Sequence, residues 1–352
     1  MRVNSFPKND RTNGWFNVLG EQPAARVFSG ESKADWVIVG GGFSGLGAAR
    51  RLGELRPNDR IVLLEAGRIG ENASGRHSGF VIDLPHNFSQ EQPEHDLRQI
   101  RVNRMAIAWL AELVERHQIR CQWSHRGKVH VAATRQGRKN LEVMAQRLTG
   151  LGEANEHWDK ARLTAYLGTD YFDYGLFTPG CILMQPAALV TGLARSLPGN
   201  VEIYEESAVT GFEDGATKTL ETAGGKVTTS QVILATNGWT PAFGFLERQL
   251  LTMHTFASLT RPLTTAEQAA LGGEGDWGTI PSTLGGTTMR YTRDHRLLIR
   301  RSLRYRPDFT ITDGDQARIL GEHHETFAKR FPMIPDVGFE HTWGGVLCMS
   351  RN

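Results

Sequence analysis

The sequence predicts a fold of the α/β plus α+β class, with two domains whose segments are interleaved along the chain. Residues 35–65 have the order strand, glycine-rich turn, helix, strand, which is the length and order of a βαβ unit. Later segments alternate between α/β units of this kind and blocks of short strands joined by turns. No internal repeat is visible. A protein of 352 residues is long enough for two such domains.

The first unit consists of two apolar strands and the helix between them. Residues 35–39 and 60–65 are the predicted strands, and residues 44–55 have the apolar spacing of a helix. A long loop rich in glycine, serine and asparagine is predicted over residues 68–90. These assignments place the glycine-rich turn between a buried strand and the beginning of a helix.

The rest of the sequence alternates between helices and short strands. Further helices are predicted over residues 93–117, 138–148, 186–197 and 316–331. Further strands are predicted over residues 128–132, 201–204, 208–213, 232–235, 253–260 and within 287–303. Residue pairs typical of turns occur at residues 214–215, 224–225 and 294–295.

Charge and cysteine content narrow the class of protein. Lys and Arg number 40 and Asp and Glu number 38, so the formal net charge is +2 and no nucleic-acid partner is expected. The sequence has three cysteines, Cys121, Cys181 and Cys348. Because their number is odd and none of them forms a C-x-x-C motif, neither disulfides nor a metal site is expected. The sequence has no signal peptide and no apolar run long enough to span a membrane, which predicts a cytoplasmic protein.

The glycine-rich turn reads V-G-G-G-F-S-G-L-G-A-A over residues 39–49 and contains G-x-G-x-x-G. Gly40 would make the tight turn, Gly42 would let a diphosphate approach the backbone, and Gly45 would let the helix pack against the strand. The helix N-terminus would offer free N–H groups to the phosphates. The turn therefore predicts a dinucleotide site.

Glu65 ends the second strand, about 20 residues after the turn, where an acidic side chain binds the ribose hydroxyls of an adenine dinucleotide. An acid there disfavours a 2′-phosphate, so NADP is not expected. NAD and FAD both remain open on these residues alone, and so does a glycine turn that binds nothing.

The segment after Glu65 reads E-A-G-R-I-G-E-N-A-S-G-R-H-S-G-F over residues 65–80. Joined to the glycine turn, it resembles the D-amino-acid-oxidase-like (DAO) family of FAD-dependent amine oxidoreductases, especially the branch that includes γ-glutamylputrescine oxidase. That branch typically has S-G-R-N-G-G where this sequence has His77 and Ser78 after S-G-R. The resemblance continues at G-C-I-L-M-Q-P-A-A-L over residues 180–189 and V-I-L-A-T-N-G-W over residues 232–239.

The resemblance implies a Rossmann-like FAD-binding domain of the GR2 type and an interleaved substrate domain built on an antiparallel sheet. The FAD-binding domain would comprise residues 1–90, 175–245 and 335–352. The substrate domain would comprise residues 91–174 and 246–334. Because the family pattern includes a further glycine-rich segment, we expect the last part of the FAD-binding domain to be incomplete and the sequence to be truncated at its C-terminus.

The resemblance also implies which residues contact FAD. Glu65 would bind the adenosine ribose, Arg68 and the Val209 backbone would lie at the adenine, and the S-G-R segment would follow the pyrophosphate. The full set of expected FAD contacts is Gly40, Gly42, Phe43, Ser44, Gly45, Glu65, Ala66, Arg68, Ser74, Gly75, Arg76, His77, Val209, Ala235, Thr236, Asn237 and Gly238.

The reaction implied is oxidation of the C–N bond of a small amine or amino acid. Hydride passes from substrate to flavin, the imine hydrolyses, and oxygen or another acceptor reoxidises the cofactor. His77 is the first catalytic candidate because it follows Arg76 in the loop expected beside the flavin ring. Arg300 is the second, as a clamp for a substrate carboxylate. His254 is a weaker candidate on a substrate-domain strand.

Other residues and other functions stay open. Trp123 and Trp239 are possible pocket residues, and the adjacent His323 and His324 are interpreted as structural. The alternative functions are an NAD-linked dehydrogenase, a truncated non-catalytic nucleotide-binding fragment, and a flavin-dependent tRNA-modifying relative.

Overall fold

The computed structural model describes residues 1–8, 10–86, 88, 92–307 and 309–350. The predicted loop over residues 68–90 and the predicted C-terminal segment therefore lie partly outside the described residues. Within those residues, a parallel sheet and a larger, mainly antiparallel sheet form the two halves of the structure. The predicted mixed α/β fold class is confirmed.

The elements are numbered in sequence order. The α-helices are α1 (Gly14–Asn17), α2 (Phe43–Leu55), α3 (Ala73–Arg76), α4 (Pro93–Arg116), α5 (Arg135–Gly150), α6 (Lys160–Leu167), α7 (Pro186–Arg195), α8 (Thr265–Leu271) and α9 (Asp313–Arg330). The strands are β1 (Gly30–Lys33), β2 (Trp36–Val39), β3 (Ile61–Leu64), β4 (Phe80–Val81), β5 (Lys128–Ala132), β6 (Glu156–Asp159), β7 (Tyr174–Thr178), β8 (Ile182–Leu183), β9 (Val201–Tyr204), β10 (Val209–Glu213), β11 (Lys218–Thr222), β12 (Gly225–Thr229), β13 (Gln231–Leu234), β14 (Leu250–Thr260), β15 (Trp277–Pro281), β16 (Thr288–Tyr291), β17 (Leu297–Tyr305) and β18 (Phe339–Ser350). A 3-10 helix covers Asn237–Phe243.

The parallel sheet has the strand order β13-β2-β3-β9. All four residues of β3 are buried, as expected for a strand covered on both faces. Helices α2 and α7 pack on one face, where Leu46 and Leu189 meet Ile61. A smaller sheet, in the order β1-β12-β11-β10, covers the other face. The predicted βαβ unit is confirmed, with the glycine turn at the carboxyl end of β2.

The large sheet has the order β18-β14-β17-β16-β15-β5-β7-β6, and its pairs are antiparallel except for β15 with β5. One face packs on α9 around Trp277, Met289 and Phe327. Along each strand, alternate residues point to the opposite face. That second face meets the cofactor half, because the buried Arg290 of β16 donates hydrogen bonds to backbone carbonyls on that side, including Gly79. The large sheet is therefore core on one side and faces the candidate site on the other.

The structure differs from the sequence expectations where segments are short. The predicted loop over residues 68–90 contains helix α3 and strand β4, which are too short to give a periodic signal. Helices α6 and α8 and strand β15 were not predicted. Two strands also depart from the expected domain limits, since β7 and β18, expected in the FAD-binding domain, hydrogen-bond into the large sheet. The division into domains otherwise stays a prediction.

Among the helices of the described residues, none combines the length and the apolar character that crossing a bilayer requires. The same part of the molecule contains no group of three or more His, Cys, Asp or Glu side chains placed to hold a metal ion.

His323 makes the stability of the fold depend on pH. This α9 side chain is fully buried, and its Nδ1 lies 2.7 Å from the Ser258 hydroxyl, which lies 2.8 Å from the Thr342 hydroxyl. Burial lowers the pKa of His323 to about 4. Between that value and the ordinary histidine pKa of about 6.5, the unfolded protein binds a proton that the folded protein excludes. The contribution of neutral His323 to stability is therefore present above the ordinary pKa and is lost as the pH falls.

We expect the free energy of unfolding to drop by about 1 kcal/mol through His323 alone between about pH 7 and about pH 5.5. His323→Asn should reduce this pH dependence, and His324→Asn, at an exposed position of the same helix, should not. Urea unfolding at the two pH values measures it. An unchanged pH dependence in His323→Asn would contradict the role assigned to this side chain.

Candidate cofactor and substrate site

A cleft of about 370 Å³ opens where β2 and β3 end at the glycine turn. It is also bounded by the N-terminal segment, the start of β10 and the segment after β13. The expected cofactor residues that line it are Gly40, Gly42, Phe43, Ser44, Glu65, Ala66, Arg68, Ser74, Val209, Ala235, Thr236 and Asn237. Gly45, Gly75, Arg76, His77 and Gly238 do not line it.

The glycine turn leaves no space for side chains. Gly40 has a φ of +105°, which favours glycine, and a Cβ there would lie 2.5 Å from the carbonyl oxygen of Ala235. A Cβ on Gly45 would overlap the carbonyl oxygen of Gly40. Helix α2 therefore crosses the end of β2 in direct backbone contact, as predicted for a dinucleotide turn.

The N-terminus of α2 opens into the cleft. Gly42 is the N-cap and provides no side chain to the first turn, and Ser74 Oγ accepts a hydrogen bond from the Phe43 N–H at 3.0 Å. A Cβ on Gly42 would lie 2.8 Å from the same oxygen. The first N–H groups of a helix attract anions, so this end of the cleft suits a diphosphate.

Glu65 holds the glycine turn and faces the cleft. Its carboxylate accepts hydrogen bonds from the N–H of Gly41 at 2.6 Å and of Gly67 at 2.9 Å. Burial raises the pKa of Glu65, and these backbone N–H groups act in the opposite direction. Each carboxylate oxygen can accept a further hydrogen bond. The expected ribose contact is compatible with this arrangement and stays a prediction.

Arg68 is tethered at the rim of the cleft. Its Nε lies 3.3 Å from the Glu205 carboxylate, and Nη2 donates to the carbonyl of Pro23. The side chain lines the same cleft as Val209. The predicted contact of both residues with adenine stays a prediction.

Arg76 has a different position from the one expected. Its guanidinium is buried and bidentate to Asp10, with Nη1 at 3.0 Å from Oδ2 and Nη2 at 2.5 Å from Oδ1. Nη1 also donates to the Gly344 carbonyl at 2.8 Å. The Arg76 carbonyl accepts from Trp343 Nε1 at 3.0 Å. The side chain therefore joins the N-terminal segment, α3 and β18, because a buried guanidinium requires partners.

His77 lies between the cleft and the large sheet. Its ring centroid is 5.9 Å from that of Phe43, and Nδ1 accepts a hydrogen bond from the Gly79 N–H at 3.2 Å. Burial, with a smaller contribution from Arg290, lowers the pKa of His77 to about 4. Neutral His77 therefore carries its proton on Nε2, which is buried without a hydrogen-bond partner among the described residues. It can donate one hydrogen bond to a ligand.

The remaining candidates are distributed over the structure. Trp239 lines the cleft and stacks on Phe309 with ring centroids 4.5 Å apart. Trp123 packs at the edge of the core under α2 and α7. His254 is buried in β14, away from the cleft lining. Arg300 lies in β17 on the second face of the large sheet, opposite Thr288.

Two groups of residues near the site carry no recognisable motif. Ser5, Phe6 and Pro7 line the cleft, although the N-terminal segment gave no signal in the sequence. Lys128 and His130 of β5 share the second face of the large sheet with Arg300. In the sequence, the alternation of polar and apolar residues in K-V-H-V-A indicates that both side chains point to the same face of the strand.

Sequence comparisons identify a family. The family model described as "FAD dependent oxidoreductase" (DAO) matches residues 35–352. The "Probable oxidoreductase OrdL" of Haemophilus influenzae is 26% identical over 337 residues, covering 91% of this chain and 74% of that protein. The "Gamma-glutamylputrescine oxidoreductase" of Escherichia coli is 27% identical over 215 residues, covering 58% of this chain and 49% of that protein.

Solved structures show the same fold. Glycine oxidase from Geobacillus kaustophilus aligns with a TM-score of 0.74 at 20% identity, covering 91% of this chain and 84% of that one. L-proline dehydrogenase from P. horikoshii aligns with a TM-score of 0.71 at 16% identity, covering 90% and 82%. The bare glycine turn and the helix N-terminus described above fit the diphosphate of FAD.

Gly45→Ala should abolish retention of FAD and destabilise the protein, because its Cβ would overlap the Gly40 carbonyl and push α2 away from β2. Gly47→Ala is the matched control on the same helix, with open space at its Cβ. We expect the control to retain FAD and to be stabilised by up to about 1 kcal/mol. The flavin-to-protein ratio after purification and the unfolding temperature measure both effects. Normal FAD content in Gly45→Ala would contradict the close approach.

Proposed function

This chain belongs to the DAO family of FAD-dependent oxidoreductases, and we propose that it oxidises the C–N bond of a small amine or amino acid. The observation that carries the proposal is the position of neutral His77 between the dinucleotide cleft and a sheet face with buried cationic side chains. The family uses FAD, which argues against the NAD-linked alternative. The names of relatives and structural neighbours, glycine oxidase and gamma-glutamylputrescine oxidoreductase among them, support a nitrogen-containing substrate.

FAD, when bound, supplies a hydride acceptor for the carbon next to nitrogen, so that a C–H bond breaks, an N–H proton leaves, and an imine forms that water hydrolyses. Oxygen or another acceptor takes the two electrons afterwards. The protein must therefore hold the amine against the cofactor and favour its neutral form, because a protonated amine has no free electron pair to assist hydride loss.

The charges around the site favour a neutral amine. Arg290 lies on the sheet face that meets the cofactor half, and nearby positive charge lowers the pKa of a bound ammonium group. His77 is itself neutral and offers Nε2–H as a hydrogen-bond donor. The site thus promotes deprotonation of the substrate by its electrostatics, and His77 orients the bound molecule.

A cytoplasmic location is part of the same proposal. Burial raises the pKa of Cys121 to about 11 and that of Cys181 to about 12, and Cys348 is also a free thiol. Unpaired thiols of this kind are typical of a reducing compartment.

Amines should reduce the bound cofactor if the proposed function is correct. In an anaerobic titration of the FAD-loaded protein, an amine or amino acid should bleach the visible flavin bands, and glycerol 3-phosphate should not. The second compound is an informative control because an L-α-glycerophosphate oxidase shares the fold, with a TM-score of 0.70. Bleaching of the flavin by glycerol 3-phosphate and by none of the amines would contradict the proposed function.

His77 should keep one charge state over the pH range in which the reaction is measured. Because the pKa of His77 is lowered to about 4, its charge does not change between about pH 5.5 and about pH 8. His77→Asn should lower kcat/KM by about tenfold or more through loss of orientation, without altering the shape of the pH profile in that range. Steady-state rates over the pH range measure this. Disappearance of an inflection in the variant would show instead that His77 titrates during turnover.

A further inference from the structure

We propose that the substrate is an acidic amine with two anionic groups, bound on the second face of the large sheet between Lys128 and Arg300. This inference rests on the proposed function and names its substrate class. It comes from two cationic side chains, the buried Lys128 and the half-buried Arg300, that the fold places on one face without hydrogen-bonded partners among the described residues.

The positions of the two cations follow from the strand register. His130 of β5 lies opposite Ile280 of β15, and Arg300 of β17 lies opposite Thr288 of β16. The pairing of β15 with β16 ends at Thr279 and Met289, and the same register extended by one residue aligns Ile280 with Thr288, so the two pairs lie on one row across four strands. Three strand spacings separate the backbones at its ends by roughly 14 Å. Lys128 precedes His130 by two residues and shares its face.

This face is the one directed at the cofactor half. Val129 and Ile299, next to these residues in their strands, point into the core on the α9 side. Arg301 also points that way, because it donates to the Thr326 hydroxyl of α9 at 2.8 Å. The alternating residues Lys128 and Arg300 therefore point to the opposite side.

Neither cation has a hydrogen-bonded or ion-paired partner within the described residues. Lys128 is only 3% exposed, yet it makes no hydrogen bond or ion pair there. Burial lowers the pKa of Lys128, and the buried carboxylate of Asp83, which accepts a hydrogen bond from Arg104 at 3.0 Å, acts in the opposite direction. In the same part of the structure Arg300 also lacks a hydrogen-bonded partner, whereas the buried Arg290 donates to three backbone carbonyls.

The two charges act on a common region. Desolvation lowers the pKa of His86, and Lys128 and Arg300 lower it further. Burial and Lys128 lower the pKa of His130 to about 3. His130 is therefore neutral, and a neutral imidazole can donate one hydrogen bond to an anion.

Charge balance selects the ligand. An unpaired buried charge is costly, and a ligand with one carboxylate would neutralise one cation and leave the other unpaired. A diamine would add positive charge to the same face. An amine with two separated carboxylates neutralises both cations and leaves its nitrogen between them.

The test uses the FAD-loaded protein and two types of probe. Glutarate, with two carboxylates and no amine, and butyrate, with one carboxylate, are titrated by calorimetry. Iminodiacetate, sarcosine and putrescine are compared as reductants of the flavin without oxygen. We expect glutarate to bind at least about tenfold tighter than butyrate, and iminodiacetate to reduce the flavin at the lowest concentration.

Variants that remove or keep the charge of Lys128 and Arg300 test where glutarate binds. Lys128→Gln and Arg300→Gln should each weaken glutarate binding about tenfold or more, while Lys128→Arg and Arg300→Lys keep the charge and retain most of it. Arg138→Gln, which removes an exposed charge paired with Glu142, is the matched control and should bind as the unaltered protein does.

The outcomes separate this inference from the proposed function. Glutarate binding no tighter than butyrate binding, unchanged glutarate binding in both Gln variants, or reduction by putrescine in preference to iminodiacetate would each overturn the acidic-substrate proposal. Charge-dependent glutarate binding without reduction by any amine would support the anion site and overturn the proposed amine oxidation.

Discussion

The contact between the Gly40 carbonyl and α2 at Gly45 is the constraint on which the rest of the structure depends. Because no Cβ fits there, the helix N-terminus reaches the carboxyl end of the parallel sheet. Three other segments are fixed against the same turn: Ala235 contacts Gly40, Ser74 accepts from the first N–H of the helix, and Glu65 accepts from the turn itself. A cleft bordered by bare backbone follows from these contacts.

Cationic side chains have two different roles inside this molecule. Arg76 and Arg290 bind carbonyl and carboxylate groups of distant segments and hold the two halves together. Their desolvation is offset by charge-assisted hydrogen bonds. Arg300 lacks such partners in the described residues, and so does Lys128. Since the fold supplies partners to the first pair and not to the second, we attribute the second pair to ligand binding.

The sequence predicted the parallel half of the fold and its cleft well, because glycine positions and an acidic strand end have direct physical requirements. Gly40, Gly42 and Glu65 could be placed from these requirements alone. Helix α3 and strand β4 could not be predicted, because elements of only a few residues show no hydrophobic periodicity. Arg76 was expected beside the cofactor, and only the tertiary structure reveals its partner Asp10, which is distant in sequence. Arg300 was expected as a carboxylate clamp, but its position on one sheet face with Lys128 was not, since the two residues come from strands that meet only through the sheet.

The central claim is that FAD lies across the end of the parallel sheet, on the turn between β2 and α2. Amide hydrogen exchange, measured by mass spectrometry with and without FAD, tests it directly. We expect FAD to slow exchange in peptides covering residues 39–45, 65–74 and 234–239. Unchanged exchange in these peptides, with slowing confined to the large sheet, would contradict this placement of the cofactor.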